Sequence, residues 1–280
     1  MFQPDLLRGK RVLITGGGTG LGAAMAGRFA ELGASLVLCG RRAPVLEETA
    51  SRLRAGGTDV ATHVCDVRDP EAVERTFEEA WSQQPFDVLV NNAAANFIAE
   101  TEKLSPRAVD AVLGTTLHGP LYCTLAAGQR WIAERRPGVV LSILSTSTIT
   151  GRAYTVPSAM AKSGVLSMTK SLAVEWGPKG VRLVAIAPGP FPTPGATAQL
   201  NPKERAGSRD QAPSKNPLGR NGDPAELANL ASFLVSDHAS YMNGEMVVID
   251  GGAHLRTSGA EDLLSWSPEQ WETLRARRAQ

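Results

Sequence analysis

Seven short runs of apolar and β-branched residues recur along the chain: RVLIT at 11–15, SLVLC at 35–39, VATHVC at 60–65, DVLV at 87–90, VVLSIL at 139–144, VRLVAIA at 181–187 and MVVID at 246–250. Most are nearly all apolar rather than alternating, which suits strands of a parallel sheet covered by helices on both faces. Helix starts fall between them. Asp69-Pro70, Ser105-Pro106 and Asp223-Pro224 each set a capping side chain before a Pro at the first helical position, and Glu226 completes a capping-box pattern. Strand-helix alternation over most of the 280 residues predicts an α/β fold with a single doubly wound, parallel sheet of about seven strands flanked by helices. No internal repeat or low-complexity linker divides the chain, so residues 1–280 are expected to form one domain.

Composition narrows the function classes. The 29 Lys and Arg against 28 Asp and Glu leave a net charge of +1, which argues against a nucleic acid or anionic membrane as partner. Cys39, Cys65 and Cys123 are odd in number and far apart, so they read as reduced thiols of a cytoplasmic protein rather than a disulfide framework or zinc ribbon. His63, His118, His238 and His254 are scattered without an HExxH motif, and no metal site is expected. The opening MFQPDLLRGK lacks the apolar core of a signal peptide. The longest uncharged stretch, 183–202, is broken by Pro188, Pro190, Pro192, Pro194 and Pro202, so a soluble protein is expected.

Two segments depart from the strand-helix rhythm. Residues 188–222 are rich in Pro, Gly and polar side chains and far exceed the usual connection of about 4–6 residues, as a functional lid or insertion would. Lys203, Arg205, Arg209, Lys215 and Arg220 outnumber Glu204 and Asp210 there, and such charge is either solvated or placed to receive the phosphates of coenzyme A. The extension at 253–280 carries a capping box from Ser267 to Gln270, with Trp266 and Trp271 at the positions of a hydrophobic staple.

The first strand runs directly into Thr15-Gly16-Gly17-Gly18-Thr19-Gly20-Leu21-Gly22 and then a helical pattern through Leu32. Glycines in such a turn let the backbone approach a pyrophosphate, whose charge is met by the free amides and positive dipole end of the helix. An ordinary tight turn also uses glycines. The junction of first strand and first helix instead points to a Rossmann-type dinucleotide site contacted by Gly16, Gly18, Thr19, Gly20, Leu21 and Gly22. After the second strand, where a carboxylate would accept the ribose hydroxyls of NAD, stand Arg41 and Arg42. Either arginine can pair with a 2′-phosphate, which favours NADP(H), although simple solvation is the plainer account. Asp66 is placed to accept from the adenine amino group or to turn the chain before Asp69.

Thr15-Gly16-x-x-x-Gly20-x-Gly22, Asp66-Val67, Asn91-Asn92-Ala93-Ala94, Ser145, Lys162 and Pro188-Gly189 with Thr193, in that order and spacing, resemble the short-chain dehydrogenase/reductase family. The resemblance runs from about Leu6 to Gly252. It implies that Val67, Asn92, Ala93, Lys162, Pro188, Gly189 and Thr193 also belong to the cofactor site. In that family a catalytic Tyr stands four residues before the Lys, on the same helix face. Here that position is Ser158.

The departure narrows the match. The segments at 91–98, 101–106, 156–162 and 187–190, and Glu269-Gln270-Trp271 in the tail, look like the 2,4-dienoyl-CoA reductases, a branch that itself carries Ser in place of that Tyr. In those enzymes NADPH delivers hydride to the far end of a conjugated dienoyl thioester, an Asn and a Tyr hydrogen-bond the thioester oxygen, and the Lys binds the nicotinamide ribose. Carried over, the Asn is Asn96, with Phe97 beside it toward substrate, the Ser is Ser158 and the Lys is Lys162. The branch's own Tyr falls fifteen residues before Lys162, on Ser147. A serine hydroxyl is not acidic enough to protonate an enolate near neutral pH. Either Tyr154 supplies the hydroxyl or Ser147 positions a proton-donating water; Tyr154 would otherwise be a plain pocket wall.

Ser145 accepts a substrate hydrogen bond or simply ends the strand. Thr116 stands where many of the wider family have an Asn linking the Lys to a water chain. The resemblance therefore implies an NADPH-dependent reductase of unsaturated acyl-CoA, active in fatty acid metabolism as a homotetramer. The alternatives are an NADP(H)-dependent carbonyl reductase or alcohol dehydrogenase of the same family, and a catalytically silent NADP(H)-binding regulatory protein.

Overall fold

The computed structural model describes residues 3–193, 195, 216–256, 263 and 265–278. Its strands are β1 (Arg11–Thr15), β2 (Ser35–Gly40), β3 (Val60–Val64), β4 (Val88–Asn91), β5 (Gly138–Ile143), β6 (Val181–Pro188) and β7 (Met246–Ile249), each within a residue or so of an expected run. They form one sheet in the order β3-β2-β1-β4-β5-β6-β7, and every neighbouring pair is parallel. The order reverses between β1 and β4, so their carboxyl ends open a crevice of the kind in which doubly wound sheets bind ligands.

Helices cover both faces because alternate strand residues point to opposite sides. Val12 and Ile14 of β1 pack with α1 (Gly20–Glu31), α2 (Ala43–Ala55) and a later helix at Pro224–Val235. Leu13, between them, faces α3 (Pro70–Gln83), the far half of α5 (Gly119–Ala133) and α7 (Val156–Trp176). α4 (Pro106–Leu113) leads into α5 through a π turn at Gly114–His118, and α6 (Ser147–Thr150) is a single turn after β5. The Pro224–Val235 helix is α8, and α9 spans Pro268–Arg278.

The anticipated caps are present. Asp69 accepts from the Glu71 and Ala72 amides, Ser105 from Ala108, and Asp223 and Glu226 make a reciprocal box. At α9, Ser267 and Gln270 bond each other's amides, and the Trp266 and Trp271 rings meet at a tilt of 55° with centroids 4.9 Å apart. The core beneath β4 is an aromatic knot: Phe86 meets Phe77, Trp81 and Trp131 edge-on, and the Trp131 indole donates to the Phe86 carbonyl at 2.7 Å. Among the described residues no helix is long and apolar enough to cross a membrane.

Candidate active site

The glycine-rich turn is locked to the end of β4. Thr15 Oγ accepts from the Asn92 and Ala93 amides, each at 3.1 Å, while the Asn92 side-chain amide donates to the Thr15 and Gly16 carbonyls. Gly16 adopts φ +67°, a left-handed conformation that favours glycine. A Cβ at Gly22 would lie 2.3 Å from the Gly16 carbonyl oxygen, so no side chain fits where α1 begins. Thr49 of α2 donates to the Gly18 carbonyl at 3.0 Å and steadies the outer limb of the turn. Thr19 makes no side-chain cap to α1, and no acidic residue stands in its first turn. The first amides and the positive dipole end therefore face an open cradle suited to a pyrophosphate. Thr193 borders the same cradle opposite Gly20, and Gly189, just after β6, donates to the Ile249 carbonyl.

On the adenosine side, Arg41 and Arg42 are exposed between β2 and α2. Asp66 does more than either expected role. It accepts the Arg68 amide, making a turn, and is held by the Arg68 guanidinium at 2.6–3.0 Å. Arg68 foremost, with a smaller contribution from Arg41, keeps the Asp66 carboxyl below its ordinary pKa. Two guanidinium groups, those of Arg68 and Arg41, thus act on the Asp66 carboxylate, and Arg68 is one that motif reading overlooks. Its only sequence signal is a basic residue two positions after Asp66. Val67 is buried against Gly119 at the start of α5.

The residues expected at the reacting end lie on α6, on α7 and in the loops that follow β4 and β5. Ser158 and Lys162 lie one turn apart on α7, and both are 8% exposed, as is Ser147 on α6. Lys162 Nζ donates to the Ile143 carbonyl at the end of β5, and burial lowers its pKa to about 8. Ser145 is half-buried, and its hydroxyl accepts from the Ser147 amide at 3.3 Å. In the loop after β4, Asn96 is half-buried with Oδ1 accepting the Phe97 amide at 2.9 Å, which leaves its Nδ2 as the available donor. Tyr154, unlike Ser147 and Ser158, is 59% exposed; its φ is +62°, and its carbonyl accepts from the Ala99 amide at 3.0 Å.

The basic lid divides. Lys203, Arg205, Arg209 and Lys215 lie outside the described residues. Arg220 is described, and its guanidinium forks onto Glu226 at 2.7 and 2.8 Å, so its charge serves the α8 capping box rather than standing open to a phosphate. Charge counting along the loop overlooked that partner because Glu226 lies six residues further on, in the next helix.

The chain resembles known proteins over most of its length. The family model described as Enoyl-(Acyl carrier protein) reductase matches residues 16–254. An uncharacterised oxidoreductase of Caenorhabditis elegans is 45% identical over 278 residues, covering 97% of this chain and 88% of that protein. A Bacillus subtilis protein named a probable 2,4-dienoyl-CoA reductase, (2E)-enoyl-CoA-producing, is 44% identical over 248 residues, covering 88% of this chain and 97% of its own length. Among solved structures, an Agrobacterium tumefaciens dehydrogenase with bound NADP superimposes with TM-score 0.83 at 33% identity, covering 91% of this chain and 100% of that one.

Proposed function

The chain belongs to the short-chain dehydrogenase/reductase family of oxidoreductases, and from that premise we propose that it uses NADPH to reduce unsaturated acyl-CoA thioesters, 2,4-dienoyl-CoA foremost. Ser158, one turn before buried Lys162, carries the proposal. Reducing a ketone needs a strong proton donor at the new alkoxide, which a serine hydroxyl is not. Reducing a conjugated C=C asks first that donors and positive charge meet the thioester oxygen as it gains negative charge. The Bacillus subtilis relative, named for that reaction, supports the substrate class. Arg41 and Arg42, and the NADP held by the Agrobacterium neighbour, support NADPH.

The open amides of α1 fit a dinucleotide pyrophosphate, with the glycine-rich turn folded closely onto Gly22, and the bound cofactor supplies the hydride. The protein's own groups do the rest. Lys162, as a cation, binds the nicotinamide ribose and puts positive charge beside the reacting carbons. Asn96 Nδ2 donates to the thioester oxygen and strengthens its hold as charge collects there. Ser158 and Ser147 supply further hydroxyls, and Ser147 holds a water through which a proton from solvent reaches the dienolate carbon, so that no hydroxide is left in the site; its burial beside Ser145 favours it over exposed Tyr154.

The test follows NADPH absorbance with purified protein and a dienoyl-CoA, a β-ketoacyl-CoA or no substrate. Consumption with the dienoyl thioester is expected. Consumption with the ketoacyl thioester alone would reject the proposal, and NADPH binding without turnover would make the chain a silent NADP(H)-binding protein.

A further inference from the structure

We propose that Thr116 is a positioning residue that sets Asn96 against the substrate carbonyl by clamping the backbone of Ala95 from a buried π turn; this rests on the dienoyl-CoA activity proposed above. The loop that follows β4 and carries Asn96 has no strand to pair with. Thr116 takes the place of one. It is fully buried, and its single hydroxyl accepts from the Ala95 amide and donates to the Ala95 carbonyl, both at 3.0 Å. Both backbone groups of one loop residue are thus tied to one side chain, immediately before Asn96. The far side of the loop is tied once, through Ala99 to the Tyr154 carbonyl.

Thr116 sits inside the π turn at Gly114–His118. A wide turn inserts one extra residue into a helix and rotates the side chains that follow; such turns recur at functional sites. Between the two ties, Asn96 has its Oδ1 held by the Phe97 amide, so the direction of Nδ2 follows from the loop backbone. A hydroxyl has one proton to donate, and that of Thr116 is engaged by Ala95. It is not free to pass a proton toward Lys162, so its contribution is geometric.

Thr116→Val keeps the shape and removes both hydrogen bonds. Misplacement of about 1 Å can lower turnover about 10²-fold, and kcat for a dienoyl-CoA is expected to fall about 10–100-fold. KM for NADPH and the pH midpoint of the rate should stay at wild-type values, and Thr116→Ser should recover activity to within about threefold. In an Asn96→Ala background the Val substitution should cost nothing more, because both act through one contact. Should the Val variant not fold, Thr116→Cys, with a weak donor and acceptor of similar size, replaces it and should lose activity in the same direction. Additive losses in the double variant, a raised KM for NADPH, a displaced pH midpoint or full activity in both single variants would overturn the inference. A wild type inactive on dienoyl-CoA would instead overturn the proposed function first.

Discussion

At the glycine-rich end of the site, the groups offered to a ligand are backbone amides, shaped by Gly16 and Gly22 and locked by Thr15 and Asn92. At the Lys162 end they are side-chain atoms: one ammonium, one carboxamide and several hydroxyls. Backbone donors survive most substitutions, provided that small residues keep the turn open. Side-chain donors change chemistry when a single residue changes, as Ser147 and Ser158 illustrate. One crevice therefore combines a half that offers backbone groups and a half that offers side-chain groups.

The sharpest way to break that contrast is Lys162→Ala. Loss of one preorganised charge at a reacting centre costs about 10²–10³ in rate, and kcat should fall by that factor while the protein still folds. The pH dependence adds a sign. Burial lowers the Lys162 pKa from 10.5 to about 8, so its charge, and with it kcat/KM, is lost as pH rises through about 8. Stability should move the other way: between about 8 and 10.5 the unfolded chain holds the proton that the folded one has released, so folding is favoured as pH rises through that window. Denaturant titrations beside a pH-rate profile check both, and parallel trends would reject this role for Lys162.

The next effects separate the hydroxyls. General acid catalysis contributes about 10²–10⁴, so Ser147→Ala should lower turnover about 10²-fold with NADPH binding intact. Tyr154→Phe should leave turnover within about threefold, and the opposite pattern would move the proton donor to Tyr154. On the binding half, Gly22→Ala forces a Cβ onto the Gly16 carbonyl; overpacking costs about 1–3 kcal/mol, or about 10–100-fold in the Kd of NADPH measured by fluorescence. Smallest and most selective is Arg41→Ala with Arg42→Ala. A lost charge-assisted hydrogen bond is worth about 1.5–3 kcal/mol, so KM for NADPH should rise about tenfold or more while that for NADH stays put.

Strand runs, helix caps and the glycine-rich turn were legible because each obeys a local rule: apolar continuity, a capping oxygen ahead of a proline, glycine where a Cβ would clash. Lys162, Ser158 and Asn96 were legible as motif positions. Arg68 on Asp66 was not, because no pattern announces which surface arginine will fold back on which carboxylate. Arg220 looked like a lid charge until its partner in α8 came beside it. The Thr116 clamp was equally hidden: a threonine inside a helical pattern gives no sign that a π turn will swing its hydroxyl onto a loop 21 residues earlier.

Sequence by itself determined the parallel sheet, its connections and the place where a dinucleotide would lie, since hydrophobic periodicity and steric demand act over a few residues. Tertiary structure alone decided which hydroxyls are buried, which charges are already paired and what holds Asn96 in place. Those properties depend on distances between residues far apart in the chain, and they emerge only when the helices close over both faces of the sheet.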